Sequence, residues 1–203
     1  MSAVLQPSSK MDLQAFLAWE AEQAERHEFV DGDVFAMTGA RATHNTIALN
    51  IASHLKQALR GTPCRTHIEG VKVQVLAADA VLYPDVFVTC DPLDVSPEGE
   101  MQKTAPKLIV EVLSPSTAAY DRGRKFELYQ QLPSLQDYLL VEADRAHVDL
   151  FRRNAEGLWV LHPAGPGATV TLASLGLAIT MDAIYEDVDF NTAAGTATDA
   201  AAG

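Results

Sequence analysis

Glu111 stands inside the apolar run Leu108-Ile109-Val110-Glu111-Val112-Leu113. A carboxylate in such a run loses its hydration unless it is paired or ligates a metal. A strand-end acid that faces solvent, or pairs with an arginine, is the plain alternative. Asp85 directly precedes a second apolar run, Val86-Phe87-Val88, and on its own would read as a loop acid. Two acids at the mouths of neighbouring strands suit a hard divalent cation, Mg²⁺ or Mn²⁺, which takes carboxylate oxygens and leaves its other positions to water and phosphate. Other chemistries find less support. His27, His54, His67, His147 and His162 lack ligand spacing, so no zinc site is expected. Ser114 and Ser116 follow Glu111 closely, but no nucleophile-elbow pattern surrounds them. The two cysteines, Cys64 and Cys90, are too few for a disulfide scaffold or a four-cysteine zinc site, and read as buried free thiols.

The elements that must position these acids are legible from periodicity. Asp12 can cap a helix with Leu13, Phe16, Leu17, Ala21 and Ala24 on one stripe. Residues 29–35 read as a hairpin, because Asp31-Gly32 supplies the positive φ angles of a tight turn. Thr43 can cap a second helix carrying Ile47, Ile51 and Leu55, with Gly61 ending it. Residues 71–75 alternate as a half-buried strand, and residues 86–88 form another. Residues 91–106 read as a loop. The run 108–113, apolar on both faces, reads as a central strand. A helix over about 117–131 follows, then a buried strand at 138–141 and a β meander over 146–172. This order predicts an α+β (α/β) fold with a mixed sheet covered by helices.

The chain has 203 residues, enough for one domain to bury roughly two-thirds of its unfolded surface. Residues 1–9 are expected to fray, residues 10–190 to form the domain, and residues 191–203, rich in Ala, Gly and Thr, to be a disordered tail. No stretch is long and apolar enough for a membrane span, and MSAVLQPSSK lacks the regions of a signal peptide, so a soluble, cytoplasmic protein is expected. Acids outnumber bases 27 to 15, for a net charge of −12. The basic footprint of a strong nucleic-acid binder is missing, so a polyanionic substrate would need a local basic patch or a bound cation.

Beyond these readings, Pro84-Asp85 followed by Glu111 in a core strand resembles the PD-(D/E)XK nuclease superfamily. The fuller string is similar to one bacterial branch, the putative restriction endonucleases, once a domain of unknown function. Matching in order are Arg26-His27-Glu28-Phe29-Val30-Asp31-Gly32, His44, Tyr83-Pro84-Asp85-Val86, Glu111-Val112-Leu113-Ser114-Pro115-Ser116-Thr117, Asp121, Lys125, Tyr129 and Tyr138-Leu139-Leu140-Val141. The resemblance covers roughly residues 10–190. It implies a restriction-endonuclease-like core and metal-dependent cleavage of phosphodiester bonds, DNA first. Asp85, Glu111 and the Val112 carbonyl would be metal ligands. Leu113 stands where the superfamily often has lysine, and in this branch the following helix supplies it, here as Lys125. Glu28 would orient a water, or else be solvated at a helix end. His44 would contact substrate or move a proton, or else be structural.

The expected function is thus a Mg²⁺-dependent endonuclease in which Asp85, Glu111, Lys125, Glu28 and His44 carry the chemistry. Two readings from other classes stay open. One is a non-catalytic binding or regulatory module on the same fold. The other is a metal-dependent phosphohydrolase for small nucleotides, which needs no extended basic groove. The charge beside Asp85 discriminates: a positive rim supports nucleic acid, and an unbroken negative field supports the other two. A homodimer suits a domain of this size, since symmetry can address two strands.

Overall fold

The structure, a computed structural model, describes residues 10–37, 39, 41–97 and 102–190, together with the backbone of residues 4–5. In chain order the elements are β1 (Val4–Leu5), α1 (Leu13–Glu20), β2 (His27–Val30), β3 (Asp33–Ala36), α2 (Ala42–Ala58), β4 (Arg65–Ile68), β5 (Lys72–Val75), β6 (Ala80–Leu82), β7 (Val86–Thr89), β8 (Gln102–Lys103) and β9 (Pro106–Leu113). A composite helix follows: α3 (Ala118–Tyr120), a π-helical turn (Asp121–Lys125) and α4 (Phe126–Tyr129). The chain continues through β10 (Asp137–Glu142), β11 (Val148–Arg153), β12 (Trp159–Ala164), β13 (Thr169–Leu172), β14 (Leu177–Thr180) and α5 (Met181–Ile184).

The central sheet has the order β12-β11-β10-β9-β7-β4, with β9 and β10 parallel and every other neighbour antiparallel. A second mixed sheet runs β1-β3-β2-β6-β5-β8. The period-2 pattern of β9 divides the core. Leu108, Val110 and Val112 pack with Ile47, Ile51 and Leu55 of α2 and with Ile184 of α5. Ile109 and Leu113 turn the other way, toward Val73 and Leu82 of the second sheet and Phe126 and Leu128 of α4. Both faces of β9 are therefore covered, as its uninterrupted apolar run requires.

Local chemistry explains the element ends. The Asp12 carboxylate accepts from the Ala15 amide at 2.8 Å and caps α1. The hairpin turn has Asp31 at φ 48° and Gly32 at φ 87°, both in the left-handed region. Several sequence expectations are corrected. Arg41, not Thr43, is the N-cap of α2, and it makes no side-chain capping bond. Val4–Leu5 pair with Phe35 and Val34 rather than fraying, so β1 extends the second sheet. The meander ends at β12, and β13 leaves to pair with β14 in a sheet of its own. The expected tail lies outside the described residues.

The cysteines are not free thiols. Cys64 and Cys90 form a disulfide, Cα–Cα 4.0 Å. The reason is register: Arg65 pairs with Thr89, so the next step sets Cys64 opposite Cys90, and β4 was a strand that periodicity did not reveal. The bridge spans 26 residues of sequence and ties an edge strand to the strand that follows Asp85. In the chain-entropy account, a loop of that size is worth about 3.5 kcal/mol. Cys64→Ser is expected to lower the free energy of unfolding by about that amount in a guanidinium melt. A reductant should lower the wild type to the same level and leave Cys64→Ser unchanged.

Candidate active site

The sequence-predicted residues converge where the central sheet meets the composite helix. Val86 pairs with Val110 across the antiparallel β7–β9 ladder, so one further step sets Asp85 opposite Glu111. Glu111 lies on the face of β9 shared with Ile109 and Leu113, beneath the composite helix. The Lys125 ammonium lies 2.9 Å from Glu111 Oε1 and 3.2 Å from Glu28 Oε1, and more loosely at 3.9 Å from Asp121 Oδ1. The Tyr129 hydroxyl donates to Glu111 Oε1 at 3.0 Å. All of this is buried: Glu111 is 3% exposed, Asp121 4%, Lys125 6% and Glu28 8%. The solvated alternatives for Glu28 and Glu111 therefore do not apply.

Asp85 anchors the other half. Its Oδ2 accepts from the Val112 amide at 2.7 Å and lies 3.1 Å from His44 Nε2, in the first turn of α2. Val112 thus enters the site through its amide. Glu28, on β2, is held from behind, since its Oε1 also accepts from the Tyr83 amide at 3.1 Å. The Tyr83 hydroxyl in turn donates to Glu20 Oε1 at 2.6 Å, and Lys72 pairs with that carboxylate at 2.5 Å. One buried network therefore runs from α1 through Tyr83 to Glu28, two residues from Asp85.

Electrostatics follow from several carboxylates crowding one buried ammonium. Burial raises the Glu111 carboxyl well above the usual carboxylate range; Lys125 pulls it down, and Asp85, Asp121 and Glu28 push it up. Burial also dominates the raised pKa of Asp121, against Lys125 and a hydrogen bond from Thr117. Burial alone would lower Lys125, yet Glu111, Glu28, Tyr129 and Asp121 hold it well above its ordinary value, so it stays cationic. His44 is pulled down by burial but raised more by its bond to Asp85 and that residue's charge. Burial and Glu111 keep the Tyr129 phenol protonated and able to donate.

Sequence reasoning missed Asp121, Tyr129 and Tyr83 as parts of the site. The signal for the first two was present: Asp121, Lys125 and Tyr129 recur every four residues along a helix that covers a core, which sets polar groups in an apolar stripe. Tyr83 had no such signal, because its role runs through its own amide and a remote acid.

Among the described residues, no group of three or more His, Cys, Asp or Glu side chains is placed to hold a metal ion. The donors at hand are two carboxylates, of which Asp85 Oδ2 and Glu111 Oε1 make the bonds above. That set fits a hard cation which completes its shell with water and phosphate, rather than zinc or another soft metal.

Comparison with known proteins supplies the lineage. Residues 13–182 match the family described as "Putative restriction endonuclease". The chain belongs to that family. An uncharacterized protein of Synechocystis, slr1290, is 39% identical over 184 residues, covering 91% of this chain and 96% of that protein. Another from the same organism, sll1609, is 29% identical over 146 residues, 72% of this chain and 82% of that protein. The fold is shared with the crystal structure of a putative nuclease belonging to DUF820 from Anabaena variabilis, with a TM-score of 0.71 at 18% identity over 86% of this chain and 97% of that one. The mixed α+β architecture expected from the sequence is thus the architecture of this putative restriction endonuclease family. No helix among the described residues is long and apolar enough to cross a membrane.

Proposed function

We propose that the chain is a metal-dependent nuclease that hydrolyses phosphodiester bonds, with DNA as the first substrate to test. The observation that carries this reading is the Lys125 ammonium held between Glu111 and Glu28, with Asp85 opposite Glu111 on the adjacent strand. Asp85 and Glu111, joined by the Val112 carbonyl, would hold Mg²⁺ or Mn²⁺. Bound there, such an ion supplies Lewis-acid stabilisation of charge on phosphate and a more acidic water. Lys125 would give the attacking water or a phosphate oxygen a fixed cationic donor, in a site already desolvated. Glu28, fixed by the Tyr83 amide, would accept a hydrogen bond from that water and orient it. His44, bound to Asp85, would set that carboxylate's orientation and can carry a proton at the rim.

A second reading is favoured by one observation. The cleft beside Asp85 is lined by His44, Asn45, Ala48, Leu49, Ile68 and Glu69, with no lysine or arginine among the described residues. That rim suits a small-nucleotide phosphohydrolase better than an enzyme gripping a long polyanion. One experiment separates the readings: incubation with plasmid DNA, single strands, RNA and free nucleotides under Mg²⁺, Mn²⁺ or EDTA. Cation-dependent cleavage of a polymer, abolished by EDTA, is the expected result. Hydrolysis of nucleotides alone would select the second reading, and no hydrolysis of any substrate would select a non-catalytic module.

A further inference from the structure

A cavity of about 520 Å³ opens at the end of the central sheet away from Glu111, where β9 and β10 begin and β11 ends. Lys107, Ser134, Asp137, Arg152, Arg153 and Ser174 line it. The backbone gathers them. The Gln136 amide donates to the Lys107 carbonyl and the Arg153 amide to the Gln136 carbonyl, while Asp137 pairs with Arg152 in the ladder. Four steps along the strand separate Lys107 from Glu111, about 13 Å, so this is not the candidate active site.

Its charge runs against that of the chain. Asp137, fully buried, is answered by Arg152 Nε at 2.9 Å and by the Ser174 amide at 3.2 Å. Arg153 meets no carboxylate among the described residues. Its guanidinium donates to the Gln130 carbonyl at 2.6 Å and to the Leu132 and Pro133 carbonyls at 3.4 Å, and lies 4.7 Å from the Trp159 ring centre. The Lys107 ammonium has no ion pair among the described residues. Two positive charges are thus left without an acidic partner, in a protein of net charge −12. Two atoms of lining residues, Arg153 Nε and the Ser174 hydroxyl oxygen, are enclosed with no hydrogen-bond partner among the described residues.

We propose that this cavity is a binding site for the phosphate group of a small molecule. A phosphate group brings anionic oxygens that can accept from the Lys107 ammonium, its charge answers Lys107 and Arg153, and the volume falls in the range of about 300–1,000 Å³ usual for small-ligand sites. The site stands whether or not the chain is a nuclease.

The test uses the full chain in EDTA, with calorimetric titration of inorganic phosphate and of a nucleoside monophosphate against chloride at equal ionic strength. Saturable phosphate binding is expected. Lys107→Ala should weaken it roughly tenfold, as loss of one charge-assisted contact does. Asp85→Asn should leave it unchanged. Tighter binding of the monophosphate than of free phosphate would identify a phosphorylated small molecule as the ligand; equal binding would identify the free ion. The proposal is overturned if phosphate does no more than chloride, if Lys107→Ala binds as wild type, or if Asp85→Asn abolishes binding. It is equally overturned if only a DNA duplex binds in a Lys107-dependent way.

Discussion

Glu111→Gln is expected to lower cation-supported hydrolysis by more than about 100-fold, with Asp85→Asn close behind, while neither loses its fold. Loss of a mere outer partner of a metal ligand costs about 10- to 100-fold, which sets the floor for loss of a ligand itself. The fold survives because the glutamine carbonyl can still accept from Tyr129 and Lys125, and because burial already disfavours the ionised acid at this position. The amide removes a charge that Asp85, Asp121 and Glu28 repel, so thermal stability in EDTA should equal or exceed that of wild type. The measurements are single-turnover cleavage across a Mg²⁺ titration and a melting curve without metal. Wild-type rates in Glu111→Gln would remove this residue from the mechanism.

Lys125→Met should fail in both respects. Methionine fills the volume but leaves Glu111, Glu28 and Asp121 buried with no cation among them, and breaking a buried ion pair from one side costs about 3–5 kcal/mol. The pH dependence has a definite sign. Folded-state pKa values raised above the unfolded ones, as for Glu111 and Asp121, favour the fold below the unfolded value and weaken it as pH rises through the raised one. Removing the ammonium raises them further. The stability deficit of Lys125→Met should therefore be largest near neutrality and shrink as pH falls toward about 4.5, near the unfolded carboxylate range. Wild-type Lys125 contributes stability that disappears only as pH rises above the ordinary lysine value. Denaturant midpoints from pH 4.5 to 8 test this, and a deficit of less than about 0.5 kcal/mol at pH 7 would mark an ordinary surface ion pair.

Much of the site could be read from apolar runs interrupted by charge. Glu111 announced itself because the strand around it tolerates little hydration, Asp85 gained meaning only beside it, and the hairpin announced itself because Asp31-Gly32 has few other uses. Lys125 is a different case. Asp121 stands four residues before it, the spacing of an ordinary helical ion pair, whereas the structure sets the ammonium nearer to Glu111 and Glu28 than to Asp121. The cysteines were misread for a related reason. Arg65–Ile68 is short, partly exposed and rich in polar residues, so nothing local marked it as a strand. A disulfide between cross-strand neighbours is invisible until the strand pairing is known. Contacts set by tertiary register, such as the Tyr83 amide on Glu28, leave no trace in local pattern.

The helix that delivers Lys125 also holds a spare residue. Between α3 and α4 the backbone takes a wider turn over Asp121–Lys125, equivalent to one residue more than a regular α-helix holds. Hydrogen bonds there span five residues where an α-helix spans four, so the extra residue is taken up within the turn and the helix beyond it keeps nearly the phase it had before. Gly123 sits within the turn, and a Cβ there would meet nothing within 4 Å. Deleting it would let the segment tighten into uninterrupted α-helix, with Asp121 and Lys125 three residues apart and Lys125 and Tyr129 still on the side that meets Glu111. The chain can thus be shortened at this one place without turning the cation away from its acids.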